Sequence, residues 1–165
     1  MAVAVFQTSD VIGNVIITSE SRGVRVRAEF TKLPPGLHGF HIHKAGDLRG
    51  DGCKGACDHW SLKPAVHGGA PGHVGERHTG DLGNIEGQSC SHSYFLSGVV
   101  LSDLYGRSMI VHADPDDLGL GMAPDSKTTG ASGARIACAV IGRIECHASA
   151  SASASTRRRR RTHKH

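Results

Sequence analysis

The sequence predicts an all-β fold, a sandwich or barrel of about eight strands interrupted by two long functional loops. Three observations carry this. Aromatic residues make up only 4% of the chain, so a core must come from Val, Ile, Leu and Ala spread over many short segments. Glycine is abundant, with 22 residues, and divides those segments as turns. Where periodicity is clear it has period two: Val24, Val26, Ala28 and Phe30 alternate with Arg25, Arg27 and Glu29, the pattern of a half-buried strand.

In chain order, residues 2–6 alternate loosely as a first strand, and residues 11–18 read as a second ahead of the alternating run just named. Pro34-Pro35-Gly36 makes a turn, and Gly39-Phe40-His41-Ile42-His43 forms a short segment after it. From Lys44 to about Thr79 no periodicity survives, and Gly, Pro, Cys and His are scattered throughout. A loop of that length in a compact domain is usually functional or stapled. Strand-like runs return at 81–86, 93–101, 108–113 and 135–144, with a second pattern-free loop from Pro115 to Ala134. Residues 147–165 alternate Ser and Ala and then run into five arginines. We therefore expect one domain over residues 1–146 and a disordered, low-complexity tail over 147–165.

The formal net charge of +4 is a property of that tail. Without Arg157 to Arg161 and Lys164 the chain has 13 basic and 15 acidic residues, net −2, so the domain has no global basic excess of the kind that binds nucleic acid. Only the Arg157–Arg161 run suits phosphate, without sequence preference. The opening Met-Ala-Val-Ala-Val-Phe lacks the charged and long apolar regions of a secretory signal, and no apolar run reaches membrane-spanning length, so a cytoplasmic location and no membrane partner are expected. Five cysteines (Cys53, Cys57, Cys90, Cys138, Cys146) are too few and too dispersed for a disulfide framework, and the odd count leaves at least one unpaired within a monomer.

Twelve histidines are the unusual feature, and nine of them lie in the domain. His41 and His43 stand two apart on a strand, so both rings project from one face, roughly 6–7 Å apart. That spacing allows them to chelate one ion, although His-x-His alone is a weak signal. The long loop adds His59, His67, His73 and His78, with Asp81 following at the start of a strand, and His112 ends the run Met109-Ile110-Val111. Imidazole with one carboxylate suits zinc, and imidazole alone suits copper.

Taken together and in this order, Gly39-Phe40-His41-Ile42-His43, His67-Gly68-Gly69, Arg77-His78-Thr79-Gly80-Asp81-Leu82-Gly83-Asn84, Val111-His112, Asp116-Asp117-Leu118-Gly119 and Gly133-Ala134-Arg135-Ile136-Ala137-Cys138 closely resemble the copper/zinc superoxide dismutase family, over about residues 2–144. The resemblance implies an eight-stranded, immunoglobulin-like Greek-key β-sandwich or barrel. It implies a copper ion on His41, His43, His59 and His112 and a zinc ion on His59, His67, His78 and Asp81, with His59 bridging the two. Asp116 would hydrogen-bond one histidine of each metal. Arg135 would attract and orient the superoxide anion, and His59 would carry a proton to the departing peroxide. Cys138 would close a disulfide with Cys53, which keeps the family's six-residue offset from His59, leaving Cys57 free. A homodimer and a copper chaperone are the partners implied. A copper-storage protein of this family is the competing reading, but the Cys-x-x-Cys and Cys-x-Cys motifs expected of a chaperone are absent and every ligand is present.

The chain departs from the family in four places. Two residues are inserted between Gly69 and Arg77 and bring His73, read as a loop histidine outside the zinc set. Lys44 and Ala45 replace an acidic and a bulky apolar residue. Lys127 sits one place early in the loop before Arg135, which alters the steering field. Arg143 occupies a commonly apolar interface position, so a monomer or a weakened dimer is expected, with Glu145 available as a counter-charge.

Overall fold

The structure is a computed structural model and describes residues 1–145. The domain boundary expected after Cys146, the Ser/Ala-rich tail and Arg157–Arg161 lie outside the described residues. Among the described residues nine strands form two antiparallel sheets: β1 (Ala2–Gln7), β2 (Ile12–Glu20), β3 (Gly23–Lys32), β4 (Leu37–His43), β5 (Asp81–Glu86), β6 (Cys90–Ser97), β7 (Ser108–His112), β8 (Arg135–Val140) and β9 (Gly142–Arg143). One sheet runs β6-β3-β2-β1-β9 and the other β5-β4-β7-β8. β7 pairs with β4 rather than with its chain neighbour β6, the return that makes a Greek key.

The alternation expected of the early strands holds. Ala2, Ala4 and Phe6 of β1, Val15 and Ile17 of β2, and Val24, Val26, Ala28 and Phe30 of β3 face inward. Phe6, Phe30 and Phe40 meet at the centre, with ring centroids 5.3, 5.6 and 6.4 Å apart. The eight expected strands become nine because the run 135–144 breaks at Ile141. This buried residue exchanges backbone hydrogen bonds with Gly106 and Arg107, and the chain changes sheet there, leaving β7 for β1. The strand expected at 93–101 lies instead at Cys90–Ser97, because Gly98 turns the chain with φ 75° and Leu101–Leu104 make a helical turn, α1.

β4 is the strand on which the rest depends. Six of its seven residues are buried, although only one side of it can face the sandwich core. Phe40 and Ile42 belong to the core cluster, while His41 and His43 lie on the other side and are covered by the loops 44–80 and 113–134. The first of these loops is stapled as the resemblance implied. Cys53, in a 3₁₀ turn over Asp51–Ala56, is bonded to Cys138 on β8 across a separation of 85 residues. In the chain-entropy picture a loop of that length is worth about 4.5 kcal/mol. Among the described residues Cys57 has no disulfide partner, and it is exposed. Arg143 does not pair with Glu145 among the described residues; its guanidinium lies over the Tyr105 ring, 4.9 Å from the centroid.

Candidate metal centre

The register of the second sheet assembles the site. Asp81 opens β5 opposite His41 on β4, and His112 ends β7 opposite Arg135, the first residue of β8. The long loop then brings His59 back to an isolated antiparallel bridge with His43, which lays the His59 ring against His41 at 4.0 Å between centroids. Two sets of donors result, each with its ligand atoms within 4.8 Å of one another: His41, His43, His59 and His112, and His59, His67, His78 and Asp81. His59 belongs to both. Every metal residue named from the sequence is therefore in one of these groups, and His73 is in neither.

The proton positions follow from the hydrogen bonds. His43 Nδ1 donates to the Cys57 carbonyl at 2.7 Å, and His112 Nδ1 donates to the Gly133 carbonyl at 3.2 Å. Each ring then has a lone pair on Nε2, and these two nitrogens face one another at 3.4 Å. Two lone pairs at that distance repel, so the contact is not a hydrogen bond; it asks for a cation between them. His41 donates from Nε2 to Asp116 Oδ2 at 2.8 Å, which turns its Nδ1 lone pair toward the same point. His41 Nδ1 and His59 Nε2 are both buried with no hydrogen-bond partner. Four imidazole lone pairs thus converge, a donor set suited to copper.

On the other side of His59 the donors are three ring nitrogens and one oxygen. His59, His67 and His78 place Nδ1 at 2.8, 2.9 and 3.2 Å from Asp81 Oδ1, the donor chemistry of zinc. The His67 contact lies off the line a hydrogen bond needs, and its Nδ1 has no hydrogen-bond partner. Asp81 Oδ2 accepts from the Gly68 and His78 amides at 3.0 and 2.7 Å, which aims Oδ1 inward. Burial alone would raise the Asp81 carboxyl, but its close contacts with His59, His67 and His78 hold it well below the usual range. Burial likewise opposes a charge on His67, yet Asp116 and Asp81 outweigh it and raise that ring to about 9. The copper-type rings behave oppositely. Burial, reinforced by the neighbouring imidazoles, depresses His41 and His43, and it lowers His112 to about 4 against the pull of the Gly133 carbonyl. All three are neutral, lone-pair donors at neutral pH.

Asp116 ties the two sets together: Oδ2 accepts from His41, and Oδ1 accepts from His67 Nε2 and the Leu118 amide, both at 2.7 Å. It is also why His41, His67 and Asp116 form a third close group that needs no ion of its own. Gly130 must lack a side chain here, because its φ is 72° and a Cβ would collide with Asp116 Oδ1 and His67 Nε2. Sequence reasoning missed two supports. Asn84 grips the Asp116 backbone from both sides, accepting from its amide at 2.7 Å and donating to its carbonyl at 2.9 Å. Arg77 donates to the carbonyls of Gly69, Thr79 and Asp81 and so fixes the loop that delivers His78. Both lie inside the quoted run Arg77–Asn84, but neither residue type signals a role without the fold.

Arg135 stands beside the copper-type set, half-buried. Its Nη1 donates to the Cys53 carbonyl at 2.9 Å and its Nη2 to the Cys57 carbonyl at 2.6 Å.

Residues 11–141 match the family described as copper/zinc superoxide dismutase. The chain is 43% identical over 148 residues to a superoxide dismutase [Cu-Zn] of Paramecium bursaria Chlorella virus 1, covering 86% of this chain and 77% of the relative. It is 44% identical over 137 residues to an extracellular superoxide dismutase [Cu-Zn] of Haemonchus contortus, covering 79% and 73%.

The chain belongs to the copper/zinc superoxide dismutase family.

Among solved structures, this dismutase-family chain is similar to that of the clock protein EA4, with a TM-score of 0.76, 35% identity, and 87% of this chain and 94% of that one covered. Copper and zinc are the family's metals, and the two donor sets fit them. Relatives from Haemonchus contortus and Drosophila melanogaster are named extracellular, so they lend no support to the cytoplasmic location expected from the sequence. Among the described residues no helix is long and apolar enough to cross a membrane.

Replacing Asp116 by Asn tests the tie between the sets. An amide cannot accept from both rings, so one histidine must turn its proton toward the metal. We expect Asp116→Asn to weaken zinc affinity by about 10- to 100-fold with the β-sheet circular dichroism retained. Unchanged affinity in competition with a chelator would remove Asp116 from the account.

Proposed function

We propose that the chain disproportionates superoxide, turning two superoxide anions and two protons into dioxygen and hydrogen peroxide, with copper held by His41, His43, His59 and His112 and zinc by His59, His67, His78 and Asp81. The observation that carries this is the shared histidine: a buried imidazole whose two nitrogens face two different donor sets, one all imidazole and one containing a carboxylate. Family membership supports the same reading.

Copper, when bound, supplies one-electron exchange between its two oxidation states, whereas zinc has no redox chemistry and supplies charge. The chain's residues do the rest. Arg135 offers a fixed cation next to the copper-type set, anchored by two carbonyls, so that an arriving anion meets a charge already in place. His59 Nε2 is the nitrogen from which a proton can pass to the reduced anion lying beside Arg135. Its Nδ1 stays with the Asp81 group, which keeps the ring in place during that transfer. Burial lowers His59 as it lowers His41, His43 and His112, but at His59 the Asp81 carboxylate beside Nδ1 opposes that shift.

Two finer readings accompany this function. The exposed thiol of Cys57 supports a cytoplasmic location, since oxidising compartments pair or oxidise such thiols. Arg143, stacked on Tyr105, supports self-association weaker than an apolar face would give, because that cation would have to be desolvated. Sedimentation of the loaded chain at low micromolar concentration should show mostly monomer. A stable dimer that Arg143→Ile does not tighten would contradict this. The expected copper chaperone and a nucleic-acid contact through Arg157–Arg161 remain proposals.

The activity itself is tested by superoxide decay measured against bound metal. His112→Ala should abolish turnover while zinc and the disulfide are kept, because it removes a donor from one set only. Arg135→Ala should keep its copper and lose about tenfold in the second-order rate constant, and Lys127→Ala should lose less. Both deficits should shrink as salt rises, since exposed charges more than about 10 Å apart are largely screened at about 0.1 M ionic strength. Full turnover by His112→Ala would sink the copper assignment.

A further inference from the structure

A groove of about 740 Å³ opens between the two long loops, with His59 and His78 among the residues that line it. Its walls come from the segment around Leu62–Val66 and from Lys127–Thr129, and they are tied together where the His67 amide donates to the Lys127 carbonyl at 2.9 Å. A diatomic anion needs only about one or two water volumes of about 30 Å³ each. The space is instead within the range of small-molecule sites, about 300–1,000 Å³.

The lining has two characters. Lys44 is neutralised by Asp58 at 3.6 Å, but among the described residues Lys63 and Lys127 have no carboxylate within ion-pair distance. Beside these cations Leu62 and Val66 leave 47% and 43% of their surface open, an apolar wall that an inorganic anion would not use.

We propose that this groove binds a small amphipathic organic anion, a carboxylate on an apolar body, with the carboxylate between Lys63 and Lys127 and the body against Leu62 and Val66. The site rests on the groove's own geometry and not on the dismutase reading. An occupant would lie over His59 and His78 and obstruct the approach of a smaller anion from this side.

Benzoate is the probe, with acetate and neutral benzamide as controls, on the full chain loaded with copper and zinc. The chain's single tryptophan, Trp60, is buried next to His59 in sequence and serves as a fluorescence reporter, with calorimetry alongside. Benzoate should bind saturably at one site, about tenfold tighter than acetate, because its ring buries apolar surface. Benzamide should not saturate over the same range. Lys63→Met and Lys127→Met should each weaken benzoate by about three- to fivefold, the worth of an exposed ion pair. Leu62→Ser with Val66→Ser should bring benzoate down to acetate's affinity. Equal affinities for benzoate and acetate in the unaltered chain, or benzoate binding indifferent to both lysine variants, would overturn the proposal. So would benzoate that shifts the copper's visible absorption equally in the unaltered chain and in Lys63→Met, since it would then be a metal ligand. The same samples assayed for superoxide decay without benzoate separate the two questions: activity without benzoate binding sinks only the groove, and binding without activity sinks only the dismutase reading.

Discussion

One carboxylate, that of Asp116, fixes the protonation pattern on which both donor sets depend. By accepting from His41 on one oxygen and from His67 on the other, it decides which nitrogen of each ring is left with a lone pair, and those two rings belong to different sets. The decision is enforced because Asp116 itself has little freedom. Asn84 holds its backbone on both sides, the Leu118 amide holds Oδ1, and Gly130 leaves room for the His67 bond where any side chain would fill it. Burial then does the electrostatic work. It keeps the copper-type imidazoles neutral, while the Asp116 and Asp81 carboxylates, themselves held low by their histidine contacts, offset the burial of His67.

The second constraint is the staple between the long loop and β8. The disulfide holds Cys53 against Cys138, three residues beyond Arg135 on the same strand, and the Cys53 and Cys57 carbonyls together fix the guanidinium. The Cys57 carbonyl also accepts from His43, so one peptide group orients a histidine of the copper-type set and the Arg135 guanidinium at once. Loss of the disulfide would therefore disturb the position of Arg135 and the ring of His43 as well as stability, which links a covalent feature of the loop directly to the chemistry.

Much of this was legible in the chain. The period-two run of Val24 to Phe30 announced a half-buried strand, and the ligands are a same-face pair, a cluster in a pattern-free loop and a strand-end histidine, whose joint order is specific. The pairing of Cys53 with Cys138 also agrees with the structure. What stayed hidden depended on contacts between distant segments. The break at Ile141 answers to Arg107 across the sheet, so a run that reads as one strand becomes two. Arg143 faces Tyr105, 38 positions earlier in the chain, rather than its near neighbour Glu145. Asn84 and the carbonyls of Cys57 and Gly133 act through backbone or amide groups, for which residue type carries no signal.

The most direct test of this arrangement is anomalous scattering from crystals of the chain loaded with both metals, recorded on either side of the copper and zinc absorption edges. The account predicts one copper bonded to Nδ1 of His41 and to Nε2 of His43, His59 and His112, and one zinc bonded to Nδ1 of His59, His67 and His78 and to Asp81, so that His41 alone among the copper ligands binds through Nδ1. A copper on Nε2 of His41, or two metals that do not share His59, would contradict it.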